Sequence, residues 1–228
     1  MSLSVLRRVP FFAKLQTADL KEVYKISRIR EYGPGEPIFA KAASAEQMFI
    51  VLSGRVKIYT PSSSKKRKTF AYLQPGDFFG EMALLEGKPR SASAEASAYT
   101  KLLMITKRDF QRLLTRDHPR LSIYLLKVFS ERLRRANEEI EGFLFRNILG
   151  RVAKTLNDLG KRGEKKRGGV ELPEHYTQQE LADLVGTTRE PLTRALSALR
   201  RAQLIDHVDG RYFIKDPDKL NSLCLIEA

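Results

Sequence analysis

"PGDFFGEMALLEGKPRSASA", Pro75 to Ala94, decides how the rest of this chain is read. A Pro-Gly-Asp turn leads into two phenylalanines. Gly80 then precedes Glu81 and a short apolar run that begins at Met82. Nine positions after the glutamate comes Arg90, followed by Ser91 and Ala92. Glycine lets a backbone approach a ligand closely. "EMALL" can form a short helix whose free N–H groups face an anion. Arg90 can pair with a phosphate through charge-assisted bonds, and Ser91 can add a hydroxyl donor. Glu81 can only accept, so it suits a sugar hydroxyl and repels a phosphate. The pair fits a ligand with both a hydroxyl and an anion. The plain alternative is a surface ion pair between Glu81 and Arg90.

Around this stretch, residues 30–105 read mostly as strands. "QMFIVLSGRVKIYT" is rich in β-branched and aromatic residues around a Ser-Gly turn. "PSSSKKRK" interrupts the pattern like a hairpin tip, so the basic run Lys65 to Lys68 reads as a solvated turn. "TFAYLQPGDFFG" and "AYTKLLMIT" continue the strands. Short strands separated by turn signals predict an antiparallel barrel or roll. Ahead of them "TADLKEVYKIS" predicts a short helix with Thr17 as its cap.

The period changes after Pro119. Leu126, Phe129, Leu133, Ala136, Ile140 and Phe143 recur at alternating spacings of 3 and 4, a heptad seam flanked by the polar "SERLRRANEEIE". A parallel dimeric coiled coil is expected. The alternative is a single helix lying on its own barrel. "NILGRVAKTLNDLGKRG" predicts a further helix, and "KRGEKKRGG" a basic, glycine-rich loop. A domain boundary falls between Arg146 and Gly150.

"YTQQELADLVGTTREPLTRALSALRRAQLI" carries two helical patterns around "VGTT". Thr177 with Glu180 three residues later makes a capping box. Gly186 makes the turn, and Thr188 caps the next helix. Pro191 falls at that helix's third position, where its missing N–H has no intrahelical partner in any case. Arg189 and Glu190 project from the first turn, and Arg194 one turn later. Arginine can donate two bonds to guanine O6 and N7, and glutamate can accept from cytosine N4. "LIDHVDGRYFIKD" adds a hairpin with Asp209-Gly210 at its turn. The whole predicts a winged helix-turn-helix.

Composition sets limits on function. The chain has 228 residues, enough for one large domain or two modest ones. A net charge of +14 suits an anionic partner such as nucleic acid. That charge is uneven: 27 basic and 15 acidic residues up to position 149 give +12, and 14 and 12 beyond it give +2. It is therefore not concentrated in the reading head. The single cysteine, Cys224, excludes an internal disulfide framework. His118, His175 and His207 lack metal-ligand spacing. No stretch approaches the roughly 20 apolar residues that span a bilayer, and the N-terminus lacks signal-peptide features. A cytoplasmic protein that contacts no membrane is expected. No catalytic constellation is visible, so no enzyme activity, metal or cofactor is expected.

"PGEPIF", "LSGRVKIY", "PGDFFGEMALLEGKPRSASA", "GRVAKTL" and "TQQELADLVGTTREPLTRAL" together resemble the cyclic-AMP receptor family of bacterial transcription regulators, which includes the fumarate–nitrate regulators. The resemblance covers nearly the whole chain. Its central stretch is similar to the phosphate-binding cassette of cyclic-nucleotide-binding domains. It implies an α+β protein with an N-terminal antiparallel β-roll sensor at 1–118, a dimerisation helix and hinge at 119–149, and a C-terminal winged helix-turn-helix at 150–228.

The resemblance also implies site residues. Gly80, Glu81, Met82, Arg90, Ser91 and Ala92 would line the ligand site. Glu81 would hold the ribose 2′-OH and Arg90 the cyclic phosphate. Ala136 and Asn137 stand where cyclic-AMP-responsive relatives place a threonine and a serine or asparagine against adenine. Thr177, Thr188, Arg189, Glu190 and Arg194 would meet DNA. Ala42-Ala43 replaces a usual Gly-acid turn, and Asn147 a common hinge aspartate. The implied effector is cyclic AMP. The implied partners are a second copy of the chain, a palindromic duplex with TGTGA-like half-sites, and RNA polymerase. Ligand binding would set the two recognition helices about 34 Å apart, one turn of DNA. The rivals are a regulator of the same fold with another effector or none, and a cyclic-nucleotide-binding subunit that acts on a protein.

Overall fold

The computed structural model describes residues 6, 7, 9, 12, 15–61, 67–118, 120–166 and 168–224. Lys65 and Lys66 of the basic tip at Lys65 to Lys68 lie outside them. The chain divides into two compact units, one up to Glu131 and one from Arg132.

The first unit opens with helix α1 (Thr17–Ile26) and strand β1 (Ser27–Tyr32), then β2 (Pro37–Phe39), β3 (Gln47–Ser53), β4 (Val56–Pro61), β5 (Arg67–Leu73) and β6 (Phe78–Phe79). The short helix α2 (Glu81–Glu86) follows, and β7 (Ser93–Ala96) and β8 (Thr100–Thr106) complete the strands. Two four-stranded antiparallel sheets result, ordered β1-β8-β3-β6 and β2-β7-β4-β5. This is the β-roll.

β3 explains why the sequence here lacks polar–apolar alternation. Met48 and Ile50 pack with Leu20, Val23, Leu103, Ile105 and Phe110 on the helical side. Phe49 and Val51 pack with Val56, Phe79, Ala94, Ala96 and Leu102 between the sheets. Both faces of the strand are buried, so the run is continuously apolar.

Thr17 does not cap α1. It is the first helical residue, Gln16 occupies the cap, and the Asp19 carboxylate accepts the Gln16 N–H. An acid at the third helical position reaches the cap backbone whichever residue stands there.

After β8 come α3 (Lys107–Arg112), a π-helical turn at Leu113–Asp117 and the long helix α4 (Arg120–Phe145). At its start Leu121 and Leu125 are buried in the roll's core, with Tyr124, Val128 and Phe129 packed beside them. Phe129 thus serves the roll rather than standing free on the predicted seam. Leu126, Leu133 and Ile140 lie seven residues apart and are 64%, 64% and 57% exposed. Ala136 is exposed with them, while the Phe143 side chain lies outside the described set. The helix therefore has one face for its roll and a second, apolar face in water.

The second unit contains the end of α4, then α5 (Ile148–Gly160), β9 (Glu164–Lys166), β10 (Gly169–Glu171), α6 (Gln178–Val185), α7 (Arg189–Arg201), β11 (Ile205–Val208), β12 (Arg211–Ile214) and α8 (Pro217–Leu223). Asn147 breaks the chain between α4 and α5. Its side chain caps α5 by accepting the Gly150 N–H at 2.9 Å. Val152, Ala153 and Leu156 of α5 are buried, as are Leu181, Val185, Leu192, Leu196 and Leu199 of the helix pair.

The predicted loop "KRGEKKRGG" is instead largely the β9–β10 hairpin, which joins the sheet β11-β12-β10-β9. β10 pairs with β12 from Val170 opposite Ile214 to Glu171 opposite Phe213. Strands of three residues, Glu-Lys-Lys and Gly-Val-Glu, are too short to show alternation, and β12 gives them a sheet to join.

Candidate functional site

The cassette is built around Gly80. Its φ of 81° lies in the left-handed region, and a Cβ there would sit 2.6 Å from the Arg90 Nη1. Only glycine meets both conditions. Arg90 uses the space. Its Nη1 donates to the Gly80 carbonyl and its Nη2 to the Gln47 carbonyl, each at 2.7 Å. The guanidinium lies 4.2 Å from the centre of the Phe39 ring and 5.7 Å from that of Phe49. Phe39, Phe49 and Phe79 form one aromatic cluster behind it.

Arg90 is only 6% exposed and Glu81 only 1%. This removes the surface ion pair as an account of the two residues. Burial pushes the Arg90 pKa down, and the negative charge of Glu81 pushes it back. A buried charge is costly unless it is paired and hydrogen-bonded. The Arg90 Nε is buried without a hydrogen-bond partner among the described residues. A fixed, desolvated cation with donor capacity to spare is suited to an anion.

The rest of the cassette is less enclosed. Ala83 and Leu84 anchor α2 in the core, while Met82 is 44% exposed. Ser91 is exposed and Ala92 half-buried. Ser93, which was not singled out from the sequence, is buried, and its hydroxyl accepts the Lys41 N–H at 2.9 Å. The Ala42-Ala43 turn is tied to the cassette backbone. Ala42 N–H donates to the Arg90 carbonyl at 2.8 Å, and Arg90 N–H to the Ala43 carbonyl at 2.9 Å. Ala42 sits at φ 67°, a conformation glycine adopts more easily. Ala136 and Asn137 are exposed on the part of α4 that belongs to the second unit.

In the second unit the capping box forms as the sequence predicts. Thr177 N–H donates to Glu180 Oε2 at 2.8 Å, and Glu180 N–H to Thr177 Oγ1 at 3.2 Å. Gly186 ends α6 at φ 75° and turns the chain into α7. Thr188 takes the cap position of α7, but its side chain makes no capping bond. Pro191 is the reason: the residue whose N–H a cap most often binds has none.

Arg189, Glu190 and Arg194 are all exposed on α7. Arg194 lies 3.5 Å from Glu190, with the two side chains 72% and 81% exposed. Arg189 is held differently. Its Nε donates at 3.2 Å to Oε1 of Gln178, a residue the sequence reading passed over. Asp209 and Gly210, at φ 50° and 78°, make the tight turn of the β11–β12 wing.

A β-roll with a buried arginine–glutamate cassette and a winged helix-turn-helix together define a ligand-sensing regulator of transcription. The family model for the cyclic nucleotide-binding domain matches residues 29–117, and that for the Crp-like helix-turn-helix domain matches residues 150–223. The chain is 34% identical to the cyclic AMP receptor protein of Thermus thermophilus, over 94% of this chain and 96% of that protein. It is 29% identical to the CRP-like cAMP-activated global transcriptional regulator of Mycobacterium tuberculosis, over 95% and 96%. Among solved structures it resembles a CooA variant from Carboxydothermus hydrogenoformans, with a TM-score of 0.78 and 26% identity over 89% and 90% of the two chains. It also resembles the c-di-GMP-responsive regulator CLP of Xanthomonas campestris, with a TM-score of 0.74 and 26% identity over 87% and 99%. The chain belongs to the CRP/FNR family of transcription regulators. Among the described residues, no helix is long and apolar enough to cross a membrane.

Proposed function

We propose that this chain is a homodimeric, cyclic-AMP-responsive transcription regulator. The observation that carries the reading is the Arg90 guanidinium, buried on an aromatic floor and fixed by the Gly80 and Gln47 carbonyls. An arginine held this way is organised before its anion arrives, so little ordering remains to oppose binding. Glu81 supplies a buried acceptor beside it for the ribose hydroxyl. The cyclic-AMP names of the Thermus and Mycobacterium relatives favour cyclic AMP as the nucleotide.

The exposed leucine–isoleucine face of α4 joins two copies as a parallel coiled coil. Arg189, Glu190 and Arg194 read a palindromic, TGTGA-like duplex, and the ligand shifts the dimer toward its DNA-binding state. The protein works in the bacterial cytoplasm, where RNA polymerase is its further partner, and it catalyses no reaction.

Calorimetric titration with cyclic AMP, cyclic GMP and cyclic di-GMP, followed by gel shifts with and without each ligand, tests the reading. Binding of cyclic AMP with a ligand-dependent shift supports it. A preference for cyclic di-GMP, the effector named for the Xanthomonas regulator, would replace the effector and keep the regulator. A shift that ignores every nucleotide would remove the sensing role.

A further inference from the structure

We propose that Gln178 is a positioning residue that fixes the geometry with which Arg189 meets a base; this rests on Arg189 being a base-reading residue. Gln178 is the first residue of α6, directly after the Thr177 cap, and Arg189 is the first residue of α7. They stand eleven positions apart in sequence, and the Gly186 turn brings their side chains together. Oε1 of Gln178 accepts from Arg189 Nε at 3.2 Å and faces Thr193 Oγ1 at 3.2 Å. Thr193 Oγ1 also lies 2.8 Å from the Arg189 carbonyl oxygen.

The donors settle which way the carboxamide points. Arg189 Nε–H can only donate, so the atom facing it must be the oxygen. The single threonine proton then serves either the Gln178 oxygen or the Arg189 carbonyl. In the first case the threonine holds the carboxamide against the start of α7; in the second the Arg189 Nε–H alone holds it.

With Nε engaged, the guanidinium is held at its inner edge. Nη1 and Nη2 carry four further N–H groups, one of which shares the edge of the Nε–H that faces Gln178. A planar guanidinium pinned at Nε can present Nη1 and Nη2 together as a fork, the arrangement suited to two acceptors on one base edge. Without the pin, a long exposed arginine must be ordered at the moment of binding. Among the described residues, Arg194 and Glu190 pair only with each other. Gln178 thus gives Arg189 a rigidity that the other two exposed readers lack.

The test uses the full-length protein with and without cyclic AMP, and a symmetric duplex first selected from random sequence by the wild type. Arg189→Ala identifies the base pair whose discrimination depends on Arg189. Gln178→Ala should lower discrimination at that same pair by on the order of tenfold, the cost of ordering one long side chain. Other base pairs and the salt slope should be unchanged. In an Arg189→Ala background the Gln178→Ala change should add nothing. Gln178→Glu keeps an acceptor for Nε, so it should retain discrimination at that pair while lowering affinity for every sequence by charge repulsion.

Several results would overturn the inference. Gln178→Ala could leave discrimination intact where Arg189→Ala relaxes it. Its effect could persist without Arg189, which would make Gln178 a direct DNA contact. Gln178→Glu could lose discrimination as Gln178→Ala does. If Arg189→Ala relaxes no base pair, or the wild type enriches no sequence, the base-reading assignment itself fails and this inference falls with it.

Discussion

Gly80 and Arg90 hold each other in place: the guanidinium Nη1 donates to the Gly80 carbonyl at 2.7 Å, and a methyl group on Gly80 would lie 2.6 Å from that nitrogen. Gly80→Ala should therefore strain the backbone and push Arg90 off its two carbonyl acceptors. Nucleotide affinity should fall at least tenfold. Arg90→Leu should abolish measurable binding and also lower stability by roughly 1–3 kcal/mol, because two carbonyls lose a charged donor in a buried site. Calorimetry gives the first effect and chemical denaturation the second. Wild-type affinity in both variants would remove the cassette from the mechanism.

Ala42 sits at φ 67° where it donates to the Arg90 carbonyl. A residue with a Cβ costs roughly 1–2 kcal/mol in the left-handed region. Ala42→Gly relieves this, offset in part by the greater freedom of glycine in the unfolded chain. A net gain of about 0.5–1 kcal/mol is expected, with nucleotide affinity unchanged. A loss of stability in urea titration would show that the turn carries no strain.

Leu133 is 64% exposed, so its replacement costs the isolated protomer little. If two copies pair along this face as proposed, Leu133→Lys should give monomers while leaving the far-ultraviolet spectrum and nucleotide binding intact. Tight binding to a two-half-site duplex should be lost with it. Sedimentation equilibrium decides: a variant that stays dimeric would place the interface elsewhere.

Lys154 links the end of α4 to α5, with its Nζ 2.8 Å from both the Glu138 and the Asp158 carboxylates. The hydrogen bond from Lys154 lowers the Glu138 pKa. Burial raises that of Asp158, but the bonds from Lys154 and Lys161 outweigh it, and the net shift is down. Folded values below the unfolded ones mean stability present above the ordinary carboxylate range and lost as pH falls through the lowered values. For Lys154 burial acts downward and the two carboxylates act upward more strongly, so its contribution is lost only at strongly alkaline pH. The carboxylates are 44% and 45% exposed, so the whole effect should be no more than about 1 kcal/mol. Lys154→Met should flatten the acid limb of the stability–pH curve. An unchanged limb would show that the cluster does not contribute.

The roll, the turn and short helix of the cassette, and the winged helix-turn-helix were legible because each rests on local chemistry. Strand runs end at glycine and proline turns, Thr177 and Glu180 form their box within one helical turn, and Asp209-Gly210 turns the wing. What was missed depends on distant partners. The burial of Glu81 and Arg90 could not be read from a polar loop, since the Gln47 carbonyl that fixes Arg90 lies 43 residues away. The β9–β10 hairpin exists because β12 offers it an edge. The grip of Gln178 on Arg189 crosses from one helix to the next. Phe129 fitted the heptad spacing, and only the tertiary packing assigns it to the roll.

Arg194 gives the plainest test of the reading head, because its pairing with Glu190 is too exposed to matter for folding. An i,i+4 ion pair of this kind contributes about 0.3–0.5 kcal/mol. Arg194→Ala should therefore leave the melting temperature within a few degrees of wild type. Losing one well-formed base contact instead costs about 1–3 kcal/mol of discrimination at one base pair. Lys165 on β9 is the control. Its neighbour Lys166 is already engaged by Glu171. If Lys165 meets a phosphate, Lys165→Ala should weaken every sequence alike and reduce the salt slope by roughly one unit. Binding-site selection separates the two behaviours. If Arg194→Ala selects the wild-type site with equal stringency and shows only a shallower salt dependence, Arg194 contacts the backbone and the base is read by another residue.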